Sequence, residues 1–204
     1  WTALIYWRPL TYKINASAKR HCKGGAILCS NHCSFYDPIY VQLGIWYRRH
    51  RIIAMKELFN GKTRNWFYRN FLLALPIDRD NTDIAGFRDV IECLKNDSLI
   101  TIFGEGHINQ EHDSSKLQSF KSGPILLGLL SGKPVIPFYI YGRKNIFRRL
   151  VMAQGEPFYV KDIIGMDMSM EAIEKATKYL EEREEELKLL VERKDRHAKH
   201  KRNI

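Results

Sequence analysis

Cysteine is scarce in this chain, four in 204 residues, and Cys22, Cys29, Cys33 and Cys93 form no Cys-x-x-Cys pair. That excludes a disulfide scaffold and leaves reduced thiols, the state expected inside a cell. No window holds the roughly 18 consecutive apolar residues that a membrane-spanning helix requires. Internal repeats and low-complexity linkers are also missing. With 45% hydrophobic, 12% aromatic and 27% charged residues, the chain is neither collagen-like, mucin-like nor wholly disordered. What remains is one globular domain, residues 1–204, long enough to bury a core.

Acid is in deficit as well. There are 33 Lys and Arg against 23 Asp and Glu, a net charge of +10. Residues 169–204 carry only +1 of it, so residues 1–168 carry +9. A domain of that sign attracts phosphates, whether of nucleic acid, anionic lipid headgroups or small substrates. No RNA-recognition, zinc-finger or helix-turn-helix pattern is present, so nucleic acid is not an expected partner. The opening string Trp1-Thr-Ala-Leu-Ile-Tyr-Trp-Arg-Pro-Leu10 is aromatic and basic, which suits a headgroup boundary. Residues 1–15 are therefore read as a membrane-interface segment, with a helix packed on its own domain as the alternative. Because the chain starts at Trp1, any anchor is expected upstream of it. The basic clusters Arg48-Arg49-His50-Arg51 and Arg143-Lys144 with Arg148-Arg149 are either solvated faces or contacts with an anionic bilayer.

Apolar runs and turn residues outline an alternation of strands and helices. Residues 26–30 read as a buried strand entered through Gly24-Gly25, and 31–36 as the loop that leaves it. Asp37 at the N-cap and Pro38 at the first helical position start a helix to about residue 48. Further strands are expected at 51–55, 74–78, 99–103, 134–141 and within 150–160. An amphipathic helix is expected at 83–95, a partly buried one at 117–132, and a third at 169–196. The last carries Ile173, Leu180 and Leu187 every seven residues, a stripe for docking on the domain, before a basic tail. This order predicts an α/β fold, a single domain with a mixed, largely parallel central sheet flanked by helices.

Chemistry concentrates between the first buried strand and its helix, in Asn31-His-Cys-Ser-Phe-Tyr-Asp37. A general base needs an imidazole near neutrality, and a carboxylate on its far nitrogen fixes the tautomer and supports the imidazolium. His32 and Asp37 have those types at a spacing that a strand-to-helix loop can close. Cys33 beside His32 is a rival nucleophile, and Cys29, His32 and Cys33 are a partial zinc set without a second pair at ligand spacing.

The order of further blocks resembles the glycerolipid acyltransferase family, most closely its 1-acyl-glycerol-3-phosphate acyltransferases, over about residues 10–165. Asn31-His32 through Asp37 is similar to the family's NHxxxxD block, and Lys56-Glu-Leu58 to its KxEL element. Pro76-Ile-Asp-Arg79 resembles the second block, Phe103-Gly-Glu-Gly106 the third, and Val135-Ile-Pro137 the fourth. The resemblance implies the glycerol-3-phosphate acyltransferase-like fold and attack of an acceptor hydroxyl on an acyl thioester, with no covalent acyl-enzyme. It implies His32 as base and Asp37 as its support. It also implies Lys56 and Arg79 on the acceptor phosphate, Glu105 and Gly106 shaping the acceptor pocket, and Asn31 among the binding residues.

By the same resemblance no metal or cofactor is expected. The co-substrate is acyl-CoA or an acyl carrier protein thioester, the acceptor is a lysophospholipid, and the working place is an anionic membrane surface on the cytoplasmic side. A compact chain without long insertions points to a bacterial member. The third block departs from Phe-Pro-Glu-Gly-Thr-Arg-Ser: Gly104 replaces proline, and His107-Ile108-Asn109 replaces Thr-Arg-Ser. Ile108 thus removes a usual phosphate contact, which Lys121, Arg143 or Lys144 would have to replace. Rival readings are an acceptor other than 1-acyl-glycerol-3-phosphate, either glycerol 3-phosphate or a non-phosphorylated lipid, and a lipid-surface binding module with a decayed site.

Overall fold

A computed structural model describes residues 10–13, 23–45, 48, 50–78, 83–109, 116–141 and 151–200. Its strands are β1 (Leu10–Lys13), β2 (Ala26–Ser30), β3 (His50–Met55), β4 (Ala74–Ile77), β5 (Leu99–Phe103), β6 (Val135–Tyr141) and β7 (Val151–Gln154). Its helices are α1 (Asp37–Gly44), α2 (Lys62–Trp66), α3 (Ile84–Lys95), α4 (Gly123–Ser131), α5 (Val160–Ile164) and α6 (Met170–His200). Among the described residues the strands form one seven-stranded sheet in the order β1-β7-β6-β2-β5-β3-β4.

Neighbouring strands run parallel throughout except β6 and β7, which are antiparallel. The mixed, largely parallel sheet expected from the alternation is present. Strand β2 lies between β5 and β6, and all five of its residues are buried, as a central parallel strand covered on both faces requires. Its side chains alternate between two cores. Ala26 and Leu28 pack with Val41 of α1 and Ile45 just after it, while Ile27 and Cys29 face Val90 and Leu94 of α3 and Ile125 and Leu127 of α4.

Helix α3 is amphipathic and starts on Asp83, whose carboxylate accepts the Gly86 N–H at 2.8 Å. Helix α4 is apolar almost all round and accordingly buried, and it closes on Gly132 in the left-handed conformation. It is shorter than the expected 117–132, because Pro124 belongs in a first turn and the chain before it forms no regular structure. Helix α6 docks on the domain through Ile173, Leu180 and Leu187, and Ala176 and Val191 complete the buried stripe. It meets the strand side of the site described below.

Within the segment read as a membrane-interface element, Leu10–Lys13 is an edge strand paired in parallel with Val151–Gln154, not part of a helix packed on the domain. Residues 1–9 and 14–22 lie outside the described residues. The cluster at 48–51 is not one solvated face either: His50 is 1% exposed, and Arg48 donates to the carbonyls of Gly24 and Asp97, clipping the turn into β2. Arg143, Lys144, Arg148 and Arg149 lie outside the described residues.

Candidate active site

In a parallel sheet the carboxyl ends of the strands share one edge, and loops leaving them converge there. Ser30 at the end of β2 stands in register with Phe103 at the end of β5 and with Phe138 of β6. The loop after β2 is then tied down by side chains. Asn31 is fully buried, with Oδ1 accepting the Ile140 N–H at 2.8 Å and Nδ2 donating to the Ile140 carbonyl at 3.0 Å. This amide adds one side-chain rung between the β2 loop and β6. Asn31, expected among the binding residues, is buried here and holds the loop.

Asp37 is 2% exposed and is the first residue of α1, with Tyr36 at the N-cap, one position earlier than the sequence suggested. Its carboxylate turns back onto the loop. Oδ2 accepts the N–H groups of Cys33 and Ser34, each at 2.7 Å, and lies 2.9 Å from Nδ1 of His32. A carboxylate bonded in this way only accepts, so the shared proton sits on Nδ1 and the lone pair is on Nε2. The imidazole lies flat on Phe103, centroids 4.1 Å apart and planes 18° apart. Its carbonyl accepts the Asn109 N–H at 2.8 Å, which joins the first and third blocks.

Behind this pair the third block makes a tight turn. Gly106 has φ of 78°, a conformation that favours glycine. A Cβ on Gly104 would come within 2.7 Å of Phe120 and 2.8 Å of the Cys29 sulfur, so the departure from proline is matched by the ring packed against it. Glu105 is fully buried. Burial pushes its carboxyl up to about 7, and the His32 and Gln118 N–H groups directed at it offset only part of the rise without closing bonds of ordinary geometry. Glu105 lines neither cavity described below and acts from behind the turn, whereas Gly106 lines both.

Sequence reasoning missed Glu184. It reaches from α6 to the same buried space, is fully inaccessible, and closes no hydrogen bond of ordinary geometry. Burial and then the nearby Glu105 push its carboxyl well up, while the N–H groups of Phe138 and Asn31 oppose the rise. The signal was there, because residue 184 falls on the three-and-four stripe of 173, 176, 180, 187 and 191, where a carboxylate is out of place.

Two cavities meet at Phe103, and the imidazole faces the smaller of them. The smaller, about 170 Å³, contains His32 and runs between α1 and the chain after β3, ending against Tyr68, Leu72 and Ala74. That chain is a short 3-10 turn, Lys56–Phe59, then α2, then a wide turn, Phe67–Phe71. The larger, about 880 Å³, lies between α3 and α4. Ile53, Phe103, Gly106 and His107 belong to both walls. Ile108 faces the smaller cavity, and Lys121 stands at the larger one against Gly106. Lys56 is exposed on the turn after β3, close enough to Asp83 to act on its carboxylate. Arg79 lies outside the described residues.

The thiols are poorly suited to attack. Burial pushes both Cys29 and Cys33 well up from the usual thiol range, so neither supplies a thiolate near neutrality. Among the described residues no three His, Cys, Asp or Glu side chains converge as a metal site.

A histidine backed by a buried carboxylate, facing an apolar cavity at the carboxyl edge of a parallel sheet, is a site for taking a proton beside an apolar substrate. Residues 11–141 match the model of the Acyltransferase family, and the chain belongs to that family. It is 26% identical over 168 residues to the 1-acyl-sn-glycerol-3-phosphate acyltransferase of Bacillus subtilis, covering 80% of this chain and 81% of that one. It is also 26% identical over 147 residues to the enzyme of the same name from Streptococcus pneumoniae, covering 69% and 53%. Its fold matches the crystal structure of the 1-acyl-sn-glycerophosphate acyltransferase PlsC from Thermotoga maritima with a TM-score of 0.65, at 24% identity, over 93% of this chain and 75% of that one.

Proposed function

We propose that this acyltransferase moves a fatty acyl chain from a thioester, acyl-CoA or acyl carrier protein, to the 2-hydroxyl of 1-acyl-glycerol-3-phosphate. The observation that carries the reading is the 2.9 Å contact of Asp37 with His32 Nδ1, beside an apolar cavity. Nε2 takes the acceptor's hydroxyl proton as the oxygen attacks the thioester carbonyl carbon. Collapse of the tetrahedral adduct breaks the carbon–sulfur bond, and the imidazolium returns the proton to the departing sulfur. Asp37 keeps the tautomer and stabilises the transient cation. No covalent acyl-enzyme and no metal or cofactor enter, and the raised thiols of Cys29 and Cys33 agree with a direct transfer.

In this reading the acceptor phosphate meets cations at the edge of the site. Lys56 stands there on its exposed turn, and Arg79 is assigned by its block. Ile108 builds apolar wall, so Lys121, beside Gly106, takes over the charge that the third block lacks. The enzyme works at an anionic membrane surface on the cytoplasmic side, held peripherally or by a segment upstream. Among the described residues no helix is long and apolar enough to cross a membrane. Phe35, Tyr36, Trp66 and Phe71 are each more than half exposed, and Lys62, Arg64 and Arg69 stand among the last two, a composition suited to headgroups.

Thiol release from an acyl thioester, with and without 1-acyl-glycerol-3-phosphate in mixed micelles, tests the reading. Release should require the acceptor and fall by roughly 10²–10⁴ in His32→Ala. Release without acceptor would make the protein a thioesterase. Release only with a non-phosphorylated lipid alcohol would mean that Ile108 marks a changed acceptor.

A further inference from the structure

Transfer to a lysophospholipid brings two acyl chains to one catalytic group, and the structure has two apolar cavities that share one wall. Phe103, Gly106 and His107 face both. Phe103 is also the ring on which His32 lies, and His32 itself lines the smaller cavity, so one shared ring separates the base from the larger groove.

The two sides differ in the head group they can accept. Among the described residues the smaller cavity has no Lys, Arg, Asp or Glu in its lining, and it ends against Tyr68 and Leu72. A chain whose only polar atoms are those of its own carbonyl fits it, and a phosphate does not. The larger groove carries Lys121 where it meets Gly106, at the end nearest the base, and Arg88 further along α3. Asp78 and Asp83 also line it, at the start of α3, where the Asp83 carboxylate is committed to the Asp78 and Gly86 N–H groups. Its outer rim is open and apolar: Ile84 is 66%, Met168 54% and Leu130 47% exposed. Large apolar side chains gathered at the mouth of a groove form an entry for an apolar ligand.

We propose that the groove between α3 and α4 is the binding site for the acceptor's own acyl chain, with the phosphate at Lys121 and the donor chain in the separate cavity beneath His32. This rests on the transfer reading above. It makes the groove walls, Phe87, Ile91 and Leu126, the residues that set acceptor chain length. Donor chain length is set elsewhere, by Tyr68 and Leu72.

The experiment measures KM and kcat for hexanoyl, octanoyl and decanoyl 1-acyl-glycerol-3-phosphate, each below its micelle concentration, at a fixed saturating donor. A second series varies donor length at fixed acceptor. In the wild type, acceptor KM falls as the acceptor chain lengthens. Ile91→Trp, which fills the groove, raises KM for the decanoyl acceptor by about tenfold, as losing about two buried methylenes does. It leaves KM for the hexanoyl acceptor unchanged, and with that acceptor the dependence on donor length stays as in the wild type. Ile84→Asp, on the exposed rim and harmless to the core, acts in the same direction and decides the matter if the tryptophan variant does not fold. A shift in the donor series instead would give the groove to the donor and overturn the proposal, as would a wild-type acceptor KM independent of length. Absence of acceptor-dependent release in the wild type would sink the transfer reading itself, a result separate from either.

Discussion

Glu105→Gln should make the protein more stable at neutral pH and no more stable in acid, with a slope set by one proton. Glu105 is fully buried, and its carboxyl is displaced from 4.5 to about 7. Below pH 4.5 the group is protonated in both folded and unfolded chains, so it costs nothing. Between 4.5 and 7 the unfolded chain releases the proton while the folded chain keeps it, and folding loses ground as pH rises. Above about 7 the loss levels off at no more than about 3 kcal/mol. Glutamine has no proton to lose. The variant should therefore gain on the wild type across that window, up to about 10 °C in Tm for a chain of this size. The wild-type curve alone would hide the effect, because buried His50 is displaced the other way, from 6.5 to about 4, and loses stability as pH falls through that range. Equilibrium urea unfolding followed by tryptophan fluorescence, at several pH values from 4.5 to 8, gives the difference directly, since His50 is common to both proteins. A difference that stays constant with pH would refute the burial argument for Glu105.

The His32–Asp37 contact predicts that Asp37→Asn cuts kcat by roughly 10³–10⁴ while KM changes little, because an amide in place of Oδ2 loses the fixed tautomer. Steady-state kinetics at saturating donor checks this, and a KM effect without a kcat effect would contradict it. Glu184→Gln keeps an acceptor for the Asn31 and Phe138 N–H groups and removes an ionisable group from a buried site. It should raise Tm at pH 8, by the equivalent of on the order of 1 kcal/mol, and leave Tm unchanged at pH 4.5; a lower Tm at pH 8 would count against the unpartnered carboxyl.

The interior of the sheet was legible because its pattern is local. Residues 26–30 and 99–103 are short apolar runs between turn residues, and the structure returns both strands with those bounds. Edge strand β1 has no such pattern: Leu-Thr-Tyr-Lys acquires its conformation from β7, about 140 residues later. Helix α1 stops at Gly44, short of residue 48, because Arg48 is recruited to carbonyls of a distant turn. The same division runs through the site. His32 and Asp37 are near neighbours joined by one loop, and their pairing was readable. The sealing of Asn31 by Ile140, and the approach of Glu184 to Glu105, join residues from opposite parts of the chain that only the fold brings together. Gly104 was read as a departure from a block, and its reason, Phe120, is equally non-local.

The base is thus placed by the sheet more than by its own loop. Ser30 and Phe103 are register partners, so the residues that follow them, leading to His32 and Glu105, leave the edge side by side. Asn31 adds the rung to β6, and the Asn109 N–H on the His32 carbonyl adds a tie from the β5 loop. A slip of one residue between β2 and β5 would move every side chain of the strand to the wrong face. It would carry Leu28 out of the α1 core, Cys29 out of the α3 and α4 core, and the imidazole off Phe103. Burial of Leu28 and Cys29 on opposite faces therefore opposes any such slip, and the packing that makes the domain stable also holds His32 on Phe103 at the wall of the smaller cavity.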